Sequence, residues 1–210
     1  MADPDSRRRP AVRHAPLAVA AAVFLGTAVV LAVRGAAPTA VGLQLASILA
    51  LTFPLNVERR QGLRVPTALV AMFAALMLAG PWLGTTLGFY DVWTDWDTVV
   101  HAFSGLPISL AAVYGLGVLA HRGGLVLPDG LVVVVVLGVH ALAAVAWEIL
   151  EFVSDQVLDG DAQRGNTDTM VDLIAGTVVS VLVAVAVLQW RRHGRFGFVG
   201  RLLGERPAAA

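Results

Sequence analysis

Three short strings in this chain carry side chains that can do chemistry. Asp97, His101 and Ser104 stand at i, i+4 and i+7; Glu148 and Glu151 at i and i+3; Asp168 and Asp172 at i and i+4. In helices these spacings put each set on one face. All three sets border or enter long apolar runs, where a charge costs about 2.5–3.5 kcal/mol at mid-bilayer and less near the interface. Acids gathered at one level need a bound cation, protons, or counter-charges such as Arg164 and His101. Imidazole among carboxylates is a ligand set for zinc, manganese or iron. Such an ion is a Lewis acid that activates water against an ester or phosphoester. His101, Glu148 and Asp172 are therefore candidate metal ligands, with Asp97 or Asp168 completing the shell. Glu151 is the candidate general base or acid, and Arg164 a candidate contact for an anionic substrate.

Plainer readings compete. Asp97 and Asp168 also suit helix N-caps, where exposed amides and the helix dipole favour an anion. Asp91, Asp95, Asp155, Asp159 and Asp161 read as solvated loop acids. His140 lies two turns from Glu148 on a stripe running His140, Ala144, Glu148, Glu151, Asp155, and reads as a packing or proton-relay residue. Ala111 with Gly115, and Gly176 with Ser180, have the four-residue spacing of helix-packing faces.

The elements that must position these residues are membrane spans. The chain is 57% hydrophobic and 14% charged, with mean hydropathy +0.75, well beyond a soluble domain. Six apolar stretches are long enough to cross a bilayer, near Leu17–Val33, Thr39–Val57, Pro66–Leu87, Asp97–Ala120, Leu131–Val153 and Asp168–Trp190. Gly80-Pro81 makes the third the least regular, since proline removes a helix hydrogen bond. The expected fold is an all-α integral membrane bundle of six helices. A basic tail over 1–15 precedes the domain 16–190, and a basic, then alanine-rich tail follows over 191–210.

Charge orients the bundle. Thirteen of the fifteen arginines flank one set of span ends, and only Arg34 and Arg164 lie opposite. The positive-inside rule then places both termini in the cytoplasm of a bacterial plasma membrane. Ten of the fifteen carboxylates fall on the outer side. Trp82, Phe89, Tyr90, Trp93, Trp96 and Trp147 would form an outer aromatic belt, with Trp190 at the inner face. Ser6-Arg7-Arg8-Arg9 before the first span suggests a signal peptide, but Pro10 and a polar stretch follow and no clear cleavage site precedes Arg34.

Several function classes are excluded. With no cysteine, the chain has no disulfide, thiolate metal site or cysteine nucleophile. It has no His-Glu-x-x-His motif, phosphate-binding glycine loop or Gly-x-Ser-x-Gly elbow. Topology and anionic lipid account for the arginine clusters, and nothing points to nucleic acid.

Tyr90-Asp91-x-Trp93-x-x-Trp96-Asp97-x-x-x-His101-x-x-Ser104-Gly105, Trp147-Glu148-x-x-Glu151 and Asp168-Thr169-x-x-Asp172 resemble the YjdF-like family of bacterial inner-membrane proteins. The resemblance covers the outer half of spans four to six and implies the fold and the choice of residues, not an activity. A fainter likeness is to VanZ-like membrane proteins, whose later motif continues with Asn where this chain has Gly176.

Three functions follow as expectations. The first is a metal-dependent hydrolase or transferase acting on a lipid or envelope-linked substrate. The second is a non-catalytic membrane protein whose polar cluster fixes helix packing or binds a partner. The third is a proton- or cation-coupled carrier using Glu148, His140 and Asp172, which the sparse polar lining of the inner halves of the spans disfavours.

Overall fold

The computed structural model describes residues 10–158 and 162–204. Arg7, Arg8, Arg9, Asp159, Asp161, Arg206 and the tail from Pro207 to Ala210 lie outside the described residues. Among the described residues every regular element is helical: α1 Pro10–Arg13, α2 Ala15–Val33, α3 Pro38–Leu51, α4 Phe53–Gln61, α5 Thr67–Met77, a π-helical segment Leu78–Thr86, α6 Phe89–Val92, α7 Trp96–Gly123, α8 Asp129–Leu158, α9 Asn166–His193 and α10 Gly197–Leu203. Six helical stretches are long and apolar enough to span a membrane: Ala15–Val33, Pro38–Gln61, Thr67–Thr86, Trp96–Gly123, Asp129–Val157 and Asn166–His193. These correspond one to one with the expected spans.

The chain forms two compact units, 1–97 and 98–210. In the first, prolines open α2, α3 and α4 within their first turns, where a missing N–H costs nothing. Pro54 interrupts the second span at Thr52, so α3 and α4 share it. The third span is continuous despite Pro81, because its last nine residues widen into the π-helix. The Thr86 hydroxyl donates to the Pro81 carbonyl at 2.8 Å and receives the Gln44 side-chain amide at 2.9 Å, which ties the distorted turn to α3. Leu17, Ala20, Phe24, Leu51, Val70 and Ala74 form the core of this unit. Trp82 donates its indole N–H to Thr27 at 3.0 Å, so it is fastened to α2 beside that core. At the far end Glu58 accepts from Arg13, His14 and the Val65 amide.

The second unit comprises α7, apart from its opening residues Trp96 and Asp97, with α8, α9 and α10. Here α7 and α9 cross at two glycines. A Cβ on Gly105 would stand 2.5 Å from the Gly176 carbonyl oxygen, and one on Gly176 would meet the His140 ring at 2.8 Å. Two turns on from His101 and Asp172, Ser109 donates to Ser180 at 2.9 Å, both hydroxyls fully buried. Gly176 and Ser180 thus form a packing face, as their spacing suggests. Ala111 and Gly115 do not: Ala111 is exposed, and the space beside Gly115 is open. On α7 the close-packed glycines are Gly105, against α9, and Gly117, against α10.

Trp190 is buried, with its ring packed on Gly200 of α10. α10 in turn lies on Gly117, where a Cβ would be 2.5 Å from the Leu202 carbonyl oxygen. Arg191 closes the start of α8 by donating to Asp129 at 2.8 Å and to the Leu127 carbonyl at 2.6 Å.

These contacts set opposite expectations for two alanines on one helix. Gly105→Ala forces backbones apart and should cost about 1–3 kcal/mol, the usual range for overpacking. Gly115→Ala meets no neighbour and should be neutral or stabilising by up to about 1 kcal/mol. Thermal unfolding of the detergent-purified variants beside wild type measures both.

Candidate metal centre

The site lies where α7 and α9 begin and α8 ends. Helical side chains lean toward the N-terminus of their own helix. On α8 that lean carries Glu148 back along the helix. On α7 and α9, which begin at this end, it carries His101 and Asp172 toward the helix starts. The antiparallel arrangement therefore converges side chains whose backbones sit at different heights.

His101, Glu148 and Asp172 are 5%, 6% and 2% exposed. The His101 Nε2 to Glu148 Oε1 distance is 3.7 Å, too long for a hydrogen bond. Two ligand atoms each about 2.1 Å from a tetrahedral ion lie about 3.4 Å apart, so the spacing suits donors to a shared cation. His101, Glu148 and Glu151 can each offer one ligand atom with all three within 4.8 Å of one another. His101 and Asp172 meet the same criterion, so the imidazole is common to both acidic helices. The donor set, one nitrogen with carboxylate oxygens, fits a borderline divalent ion such as zinc, manganese or iron.

Neighbouring groups fix the acids in place. The Thr98 hydroxyl donates to Asp172 Oδ1 at 2.8 Å, and the Trp147 indole donates to Glu151 Oε1 at 2.8 Å. Ser104 turns its hydroxyl to the His101 carbonyl at 2.7 Å, so it braces the helix turn rather than joining the acids. Outer partners of this kind orient ligands in metal sites.

The other anticipated residues are distributed as follows. Asp97 is buried and one turn ahead of His101 in the same unbroken helix. Asp168 is half-buried and accepts from the Arg164 backbone amide at 3.2 Å, the capping type of role weighed for it. It joins neither ligand group. Arg164 is exposed on the loop before α9. Glu151 stands with His101 and Glu148 as a potential ligand, besides the acid–base role its position suggests. Asp91 and Asp95 are exposed, as loop acids should be.

Asp155 is not a solvated loop acid. Its two carboxylate oxygens accept from the Ala162 and Gln163 amides at 2.9 and 2.8 Å, and the Gln163 side chain reaches Thr169 at 3.1 Å. It anchors the loop that carries Arg164. Thr98 and the Trp147 bond were not singled out by residue pattern. Trp147 and Glu151 do stand four apart on α8, a legible signal; Thr98 has none, because its partner is on another helix.

Fold and site together define a polytopic membrane protein with a buried acid–histidine cluster in its second unit. Residues 16–193 match the family described as "Predicted membrane protein (DUF2238)", and the chain belongs to that family. No curated protein matches the chain, and no solved structure does.

Asp155→Ala removes two charge-assisted bonds to backbone amides. Amide exchange at Ala162 and Gln163 should speed up by about tenfold or more, given the worth of such bonds, while the middles of α8 and α9 stay protected. Hydrogen–deuterium exchange with peptide resolution reads this directly.

Proposed function

We propose that this protein is a metal-dependent hydrolase or transferase of the bacterial plasma membrane, acting on a lipid or envelope-linked substrate. The observation that carries the reading is buried His101, which stands at ligand spacing from Glu148 and half-buried Glu151 on α8 and from Asp172 on α9. In this reading both termini are cytoplasmic and the site opens to the opposite face, as the arginine distribution favours. The sequence strings that resemble YjdF-like proteins fall on the same helix ends. The Asn that continues the later motif of VanZ-like proteins is replaced here by Gly176, at which α7 and α9 cross.

His101 and Glu148 hold the ion, zinc, manganese or iron, with Asp172 as the ligand from α9, and Asp168 keeps its capping role. A bound ion supplies Lewis acidity and a nucleophilic water at neutral pH. Thr98 and Trp147 orient Asp172 and Glu151, and apolar helix walls exclude bulk water. Glu151, the most exposed of the three central acids, takes or returns the proton in acyl or phosphoryl transfer. Arg164, on the loop anchored by Asp155, meets an anionic headgroup.

A second reading is non-catalytic: the acids and His101 fix helix packing. The Gly105–Gly176 crossing and the Ser109–Ser180 bond favour it, because they already join α7 and α9 by close approach and a buried polar contact. A carrier is favoured less. Beyond Ser109 and Ser180 the buried positions include Val113, Leu116, Val132, Val183 and Val187, and among the described residues no buried acid or histidine follows them.

Elemental mass spectrometry of protein purified without chelator separates the readings. The metal reading expects near-stoichiometric zinc, manganese or iron in wild type, lost in His101→Ala and in Glu148→Gln, with both variants folded. Metal at background in wild type rejects it. Glu148→Gln that unfolds or fails to reach the membrane favours the packing role.

A further inference from the structure

His140 is 1% exposed near the middle of α8, and among the described residues neither its Nδ1 nor its Nε2 has a hydrogen-bond partner. A neutral imidazole brings one donor and one acceptor, and leaving both unmet inside apolar helices is costly. Buried polar groups of this kind are completed by protein or by ordered water.

The surroundings indicate where water would come from. The ring lies against Gly176, where a Cβ would stand 2.9 Å from His140 Nε2 and 3.1 Å from the His101 carbonyl oxygen. The His140 ring and the backbone carbonyl of His101 therefore both pack directly against Gly176. On α8 the way from His140 to Glu148 passes Ala144, a buried methyl. The two backbone positions are about 12 Å apart by helical rise, and Glu148 leans back toward Ala144. In the other direction Val136 and Val132, both fully buried, close the stripe.

We infer that the polar site continues past Ala144 as a file of internal water, and that His140 is its floor. The ligand of this second station is water. One ring nitrogen donates to a water of the file and the other accepts from one, which satisfies both buried nitrogens without any change of charge. This inference does not depend on a metal being held at His101.

The absence of cysteine from the chain makes single-cysteine variants of the full protein a clean test. Thiols react as thiolates, which need water. Glu151→Cys at the site, Ala144→Cys, His140→Cys and Val136→Cys, each in lipid nanodiscs, are treated with 2-aminoethyl methanethiosulfonate and followed by intact mass. His140→Cys and Ala144→Cys should react at least about tenfold faster than Val136→Cys, reflecting access to water. His140→Cys as slow as Val136→Cys, with Glu151→Cys reacting, overturns the inference. If His140→Cys does not reach the membrane, Ala144→Cys decides against the same controls: fast modification supports the water file and slow modification overturns it.

Discussion

The approach of α7 to α9 at Gly105 and Gly176 is the constraint on which the second unit depends. Neither glycine is needed for an unusual backbone angle; both lie within regular helix. Each is needed because a single carbon atom would collide with the opposite backbone or with His140. That closeness brings His101 and Asp172 within reach of one another and lets Ser109 meet Ser180 two turns further along. A wider crossing would leave two buried charges and two buried hydroxyls to be satisfied separately, which hydrocarbon does not allow cheaply.

The antiparallel run of α8 adds the second half of the site. Because helical side chains lean toward their own N-termini, Glu148 comes to His101 from the opposite direction to Asp172. The result is one imidazole between carboxylates of two helices, with Thr98 and Trp147 setting the orientation of two acids. Burial makes this arrangement demanding. Carboxylates only a few per cent exposed repel one another more strongly than in water, so the cluster calls for a cation or protons. Membership of the DUF2238 family and the six spans agree with a membrane setting in which that demand is strongest.

The same logic separates anchoring acids from site acids. Asp155 and Asp129 each gather neighbouring donors: one holds the loop before α9, and the other joins the start of α8 to the end of α9. Glu58 does the equivalent in the first unit. These acids have partners that account for their charge through backbone amides and arginines. His101 shares one ligand group with Glu148 and Glu151 and meets the same spacing with Asp172, and that is what makes these residues the candidate centre.

Much of this was legible in residue order. Apolar run length determined six spans, because a helix must satisfy its own backbone in hydrocarbon and needs about twenty residues to cross. The i, i+4 spacings determined that Asp97 shares a helix face with His101, and Asp168 with Asp172, since helical periodicity is a local property. Tertiary structure alone decided which faces meet. It selected Gly105 and Gly117 over Gly115, buried Trp190 beneath α10, turned Asp155 from a loop acid into an anchor, and paired Thr98 with Asp172. It also showed that the helix continues through Pro81 as a π-helix, which Thr86 and Gln44 tie to α3. Those outcomes depend on contacts between residues far apart in the chain, and local spacing carries no record of them.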